Sequence, residues 1–309
     1  MKKIAFIFPG QGSQTIGMGK DFFENSDIAK DMISKASDRL GIDFEKLLFE
    51  ENENIGKTEF TQPAILLVSS IANAIFKEKC NITPEFVLGH SLGEFSALVA
   101  AGAMDYLDAI ELVHKRGLFM TEACSGGGAG MMALVGIDDA TVEKVCEEQR
   151  ALGKKVWPAN YNMDGQLVLA GIKADLESLV DVFKASGAKR AIVLDMSVAS
   201  HCELLQSAVE SLKPYLEKYL KDEFMPVISN VSTNAYTTKA EAIELLASQL
   251  TSPVKYKQSV SSHSDKVDLF IEFGNGIVLK GLNKKITDKP TLNVSDMATL
   301  EAVLGELND

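Results

Sequence analysis

Positive charge is in short supply in this chain of 309 residues: 31 lysines and arginines face 43 aspartates and glutamates. The resulting net charge of −12 leaves no broad cationic face for nucleic acid. Cysteine and histidine are scarce, four of each. Cys80, Cys124, Cys146 and Cys202 stand apart without a Cys-x-x-Cys pair, which argues against structural zinc and fits reduced thiols in a cytoplasmic protein. His90, His114, His201 and His263 form no His-x-x-x-His pair, so the helix of a zinc hydrolase is absent and no metal is expected. No apolar run approaches the ~20 residues of a membrane span. The apolar start, Ile4 to Phe8, is cut short by Pro9-Gly10-Gln11-Gly12 with no small-residue cleavage site after it. It reads as a first core strand and not as a signal peptide.

What is present is ample for a packed core, with 46% of residues hydrophobic. Short apolar runs alternate with helical patterns, across roughly 19–40, 61–79 and 92–104, as in an α/β fold with a mainly parallel sheet. The flexible run Ser125-Gly126-Gly127-Gly128-Ala129-Gly130 marks a crossing to a second unit. There the pattern becomes β-α-β-β-α-β, ending with a strand near Ala191 to Asp195, which is the split βαβ order of a ferredoxin-like domain. Strand and helix alternation then resumes, with strands near Pro226 to Ser229 and Asp268 to Phe273. The predicted organisation is a large domain from 1–127 and 198–309, with a small domain, 128–197, inserted in it.

Gly89-His90-Ser91-Leu92-Gly93 lies between an apolar strand and a helix. A tight strand-to-helix turn would put Ser91 at its apex, where unpaired N–H groups favour a developing oxyanion. Ser91-Leu92-Gly93-Glu94 also fits a capping box, in which the serine merely starts the helix. Capping alone does not explain Gly93, which costs a helix interior ~1 kcal/mol against alanine. The loop Pro9-Gly10-Gln11-Gly12-Ser13-Gln14 lacks the Lys-Ser/Thr of a phosphate loop and the third glycine of a dinucleotide fingerprint. It remains a glycine-lined loop at a strand's carboxyl end, able to offer an oxyanion donor, or an ordinary turn.

A serine hydroxyl needs a base. His90 is too close along the backbone to Ser91, His114 falls in a helical pattern, and His263 in a Ser-rich stretch reads as solvated. His201 is left by elimination, with a buried structural histidine as the other reading. No third, carboxylate member is visible from spacing. Arg116, in Val113-His114-Lys115-Arg116-Gly117, offers a planar fork for a carboxylate. Its alternative is a solvated arginine at a helix end.

Phe8-Pro9-Gly10-Gln11-Gly12-Ser13-Gln14, Gly89-His90-Ser91-Leu92-Gly93-Glu94, Arg116-Gly117 and Ser200-His201 occur in this order and spacing. Together they resemble the malonyl-CoA:acyl carrier protein transacylases of bacterial type II fatty-acid synthesis. Thr61-Gln62-Pro63-Ala64, Gly187-Ala188-Lys189-Arg190, Ile228-Ser229-Asn230-Val231 and Gln249 with Pro253-Val254 extend the likeness, from Phe6 to about Ile286. The resemblance implies an α/β-hydrolase-like large domain with a ferredoxin-like small one, and ping-pong transfer through an ester on Ser91. His201 would be base and then acid, oriented by a main-chain carbonyl near Gln249. The N–H groups of Gln11 and Leu92 would form the oxyanion hole. Arg116 would hold the malonyl carboxylate and His90 would line the pocket. No cofactor is implied, since the phosphopantetheine belongs to the carrier. Two departures stand out, Gly274-Asn275-Gly276 for Gly-Pro-Gly, and Ala199, where many bacterial members carry proline, in a segment tied to malonyl or methylmalonyl choice.

The expected partner is an acidic acyl carrier protein, docked on a local basic rim of Lys189, Arg190, Lys280, Lys284 and Lys285. A monomer is expected, with neither nucleic acid nor membrane as partner. The competing functions are an acyltransferase serving polyketide carriers, a serine thioesterase, which would not need Arg116, and a non-catalytic scaffold.

Overall fold

A computed structural model describes residues 2–196 and 198–308. Its strands, in chain order, are β1 (Ile4–Phe8), β2 (Phe86–Gly89), β3 (Ala129–Val135), β4 (Val156–Met163) and β5 (Gln166–Ile172), then β6 (Arg190–Val193), β7 (Glu223–Ile228), β8 (Ala235–Thr238), β9 (Leu269–Phe273) and β10 (Thr291–Val294). They form two sheets. The larger has the order β10-β9-β1-β2-β7-β8, parallel throughout except at the β8 edge. Every residue of β1 and β9 is buried, because helices cover both faces of a parallel sheet, and this is why those strands read as unbroken apolar runs.

The smaller sheet is antiparallel, ordered β4-β5-β3-β6. Helices Asp139–Ala151 and Lys173–Ala185 complete the β-α-β-β-α-β unit anticipated from the sequence. It has its own apolar core, centred on Met132, Leu134, Leu167, Leu169 and Phe183. The proposed boundary residue Ser197 lies outside the described residues. Edge strand β4 is tied to the large unit through Val254, which donates to the Ala159 carbonyl and accepts from the Tyr161 N–H. Lys257 adds ion pairs to Asp139 and Asp164.

Three expectations need correction. Residues 19–40 are not one helix but two, Lys20–Asn25 and Asp27–Leu40, interrupted where Ser26 takes an extended conformation. Helix Thr58–Lys79 does have the length and apolar character of a membrane span, against the expectation that no run approaches one; 83% of its apolar window is buried, and it packs along helix Tyr106–Ala123 in the core. His263 is not solvated. It ends helix Tyr256–His263, is 5% exposed, and sets its ring edge-on to Phe86. Serines on that short helix bond back to its own carbonyls, which lets a polar-looking segment lie against the sheet.

Candidate active site

Strand β2 ends at Gly89 and the next helix, Gly93–Ala100, starts four residues later. The turn between them is possible only with glycine at both ends. A Cβ on Gly89 would overlap the backbone of Gly93, and a Cβ on Gly93 would overlap the carbonyl oxygen of Phe8. At the apex Ser91 is held at φ 53°, a left-handed conformation that is strained for serine. Asn230, just beyond β7, supports it. Its Oδ1 accepts from the Ser91 N–H at 2.7 Å and its Nδ2 donates to the Gly89 carbonyl at 2.6 Å. The capping box is not formed, since the Ser91 N–H goes to Asn230 and the Glu94 carboxylate turns inward.

The Ser91 hydroxyl lies 2.7 Å from His201 Nε2. Nδ1 of the same ring lies 2.7 Å from the Gln249 carbonyl oxygen. A carbonyl only accepts, so Nδ1 carries the proton and Nε2 presents its lone pair to the serine. This is the tautomer a general base requires, obtained from a main-chain group where a triad would use a carboxylate. His201 is 2% exposed, and burial followed by the nearby Arg116 charge pushes its pKa down to about 3. It is therefore a neutral imidazole at pH 7.

Arg116 is no solvated helix end. It is 1% exposed, with Nη1 donating to Gln62 Oε1 at 2.8 Å and Nη2 to Gln249 Oε1 at 3.0 Å. Its guanidinium lies 5.3 Å from the Phe95 ring centre. Burial lowers its pKa to about 10, against which Glu94 pulls, so it stays cationic at neutral pH. Nε has no hydrogen-bond partner among the described residues. Gly117 has to be glycine because a Cβ there would meet the Glu59 backbone, and so this helix turn lies close against helix Thr58–Lys79, which carries Gln62.

Gln11 reaches the site on the loop after β1, its side chain bonded to Thr58 Oγ1 at 3.3 Å. The Gly10 Cα faces the His90 carbonyl with no room for a Cβ, so this loop lies directly on the elbow. Neither the Gln11 nor the Leu92 N–H has a protein acceptor among the described residues. His90 Nε2 lies 2.8 Å from Asn162 Oδ1 on β4, and burial lowers its pKa. Asn275, the departure from Gly-Pro-Gly, is more than a turn variant. It donates to the Ser13 carbonyl and Thr15 Oγ1 and so fastens the loop that carries Gln11.

These groups share one cavity of about 1090 Å³, walled by Gln11, Ser91, Arg116 and His201 on one side and by Met131 and Asn160 of the small sheet on the other. Among the described residues no group of three or more His, Cys, Asp or Glu is arranged to hold a metal. The candidate basic residues fall on two separate units. Lys189 and Arg190 are exposed beside β6, and Lys284 and Lys285 are exposed on helix Val278–Ile286, while Lys280 is half-buried with its Nζ on Asn293.

Sequence reasoning gave no role to Gln62, Asn162, Asn230 or Tyr236, and to Glu94 only that of a capping-box partner. Gln62 and Asn230 fall within segments that carried the family resemblance. Glu94 is buried, and accepts from Gln249 Nε2, Tyr236 Oη and the Asn230 N–H. Burial pushes its pKa up to about 7, while those three donors and Arg116 act in the opposite sense.

A serine hydroxyl within hydrogen-bond distance of a neutral histidine, beside two N–H groups with no protein acceptor among the described residues, suits acyl transfer, and comparison with known proteins gives the family. The acyl transferase domain family matches residues 5–303. The malonyl CoA-acyl carrier protein transacylase of Bacillus subtilis (strain 168) is 43% identical over 313 residues, covering 100% of this chain and 98% of that protein. The chain belongs to the malonyl-CoA:acyl carrier protein transacylase family. This transacylase is also similar in structure to the Helicobacter pylori malonyl-CoA:acyl carrier protein transacylase, with a TM-score of 0.97, 45% identity and coverage of 100% and 99% of the two chains. A malonyl-transacylase solved in complex with its holo type II PKS acyl-carrier protein gives a TM-score of 0.95 at 37% identity, covering 98% and 99%.

Proposed function

We propose that this transacylase moves the malonyl group of malonyl-CoA to the phosphopantetheine thiol of an acyl carrier protein in fatty-acid biosynthesis, through an ester on Ser91. The observation that carries this reading is the presence of Arg116, buried and still cationic, in the same cavity as the Ser91–His201 pair.

In the first half-reaction His201 Nε2 takes the Ser91 proton as the oxygen attacks the thioester carbon. The oxyanion is held by the N–H groups of Gln11 and Leu92. Collapse breaks the carbon–sulfur bond, and the imidazolium returns its proton to the departing coenzyme A thiolate. In the second half-reaction the carrier's thiol gives its proton to His201 and attacks the Ser91 ester, and Ser91 leaves with that proton. Arg116 holds the malonyl carboxylate through the N–H groups that Gln62 and Gln249 leave free, and His90 lines the acyl pocket. The division into 1–127 with 198–309, and 128–197, belongs to the same reading, with the acyl group enclosed between the two units. The carrier docks on basic residues at the rim, of which Lys189, Arg190, Lys284 and Lys285 are exposed.

Incubation with malonyl-CoA, followed by intact-mass and peptide mapping, tests the reading. One malonyl group is expected on the peptide holding Ser91, released by a holo carrier protein and absent in Ser91→Ala. A label on any other residue overturns it. Because a structural relative is bound to a type II PKS carrier, a polyketide carrier is the second reading, and parallel assays with both carrier types separate the two.

A further inference from the structure

We infer that Glu94 is a positioning residue that sets the acyl-group selectivity of Ser91, by holding the Gln249 side-chain amide in the one orientation that presents its oxygen to Arg116. The inference rests on Arg116 being the carboxylate clamp.

A primary amide has a donating end and an accepting end, so what surrounds it fixes which way it faces. Gln249 Nε2 lies 2.7 Å from Glu94 Oε2 and 3.1 Å from the Ser91 carbonyl oxygen. A carboxylate and a carbonyl both accept. Gln249 Oε1 accepts from Arg116 Nη2 at 3.0 Å, and a guanidinium only donates. Turning the amide over would set NH₂ against the guanidinium and oxygen against two acceptors. Glu94 is itself pinned, with Tyr236 Oη 2.9 Å from Oε1 and the Asn230 N–H 3.2 Å from Oε2. Glu94, Gln249 and Arg116 are all buried, so water cannot take the place of a missing partner cheaply.

Remove the Glu94 carboxylate, and the shortest bond to the amide is gone; only the Arg116 bond itself and the longer one to the Ser91 carbonyl still favour the native orientation, so the amide can turn over. The inverted amide repels Arg116 and shifts the clamp away from the position of a malonyl carboxylate. The His201 bond uses the Gln249 main-chain oxygen, which does not turn with the side chain. Loss of Glu94 should therefore harm selection of malonyl more than it harms acyl chemistry as such.

The test is the rate of Ser91 loading from malonyl-CoA and from acetyl-CoA, followed by intact mass, in Glu94→Ala, Glu94→Gln, Arg116→Ala and the Glu94→Ala/Arg116→Ala double variant. Glu94→Ala is expected to lower the malonyl-over-acetyl preference about tenfold while acetyl loading stays within about threefold. Glu94→Gln should largely keep the preference, because its oxygen still accepts from Gln249 and Asn230 while its NH₂ faces the Tyr236 hydroxyl. In the Arg116→Ala background Glu94→Ala should change the preference no further. If Glu94→Ala cannot be purified folded, Glu94→Asp replaces it, since the shorter carboxylate recedes from Gln249 and must lower the preference too. Equal losses with both donors, or an unchanged preference, overturn the inference alone. A preference indifferent to Arg116→Ala overturns the clamp reading, and this inference with it.

Discussion

The carbonyl oxygen of Phe8 occupies the place where a side chain at Gly93 would stand. The end of β1 and the first turn of the elbow helix thus touch backbone to backbone, which brings the Gln11 loop close to Ser91. Alanine is the better helix former by about 1 kcal/mol, so local propensity favours Gly93→Ala. The overlap reverses that sign. Gly93→Ala is expected to destabilise the protein by about 2 kcal/mol or more, as overpacking in a closed site does. Urea denaturation checks it, and a midpoint at or above that of the parent protein would refute the close approach.

The pH dependence of acylation follows from the surroundings of His201. Burial and the Arg116 charge both disfavour the imidazolium, so its folded-state pKa, about 3, lies below the ordinary 6.5. The base form is therefore kept as the pH falls through 6.5, and is lost only as it nears the depressed value. Ser91 loading should stay close to its neutral rate at about pH 5.5, one unit below a free imidazole. Single-turnover loading followed by intact mass from pH 8 to pH 5 measures this. An acid limb centred on 6.5 would mean that His201 titrates as an exposed ring.

Lys284 and Lys285 lie exposed in the last turn of their helix and form no ion pair among the described residues. Reversing both to glutamate should raise KM for an acidic carrier protein about tenfold at low ionic strength, and by less in added salt. KM for malonyl-CoA should not move. Unchanged carrier kinetics would remove both lysines from the interface.

Much of this protein could be read from local pattern. The unbroken apolar runs of β1 and β9, the β-α-β-β-α-β order and the glycines around Ser91 are patterns carried by short stretches of sequence, legible without knowing what packs against them. Ser91 was legible for that reason, and His201 because so few histidines were available. His263 misled because a Ser-rich helix hides its polar groups in its own backbone.

Sequence by itself determined most of the elements, a candidate nucleophile and the short list of bases. Tertiary structure alone decided which groups meet. Ser91 and His201 are 110 residues apart, and Gln249 and Glu94 are 155 apart. The group that orients His201 is a main-chain carbonyl, which every residue possesses and no composition can mark. For Arg116 the sequence left a carboxylate clamp and a solvated helix end both open, and its burial against Gln62 and Gln249 comes only from the packed fold. Such pairings depend on strand order and on how closely backbones approach, and these are properties of the whole packed chain.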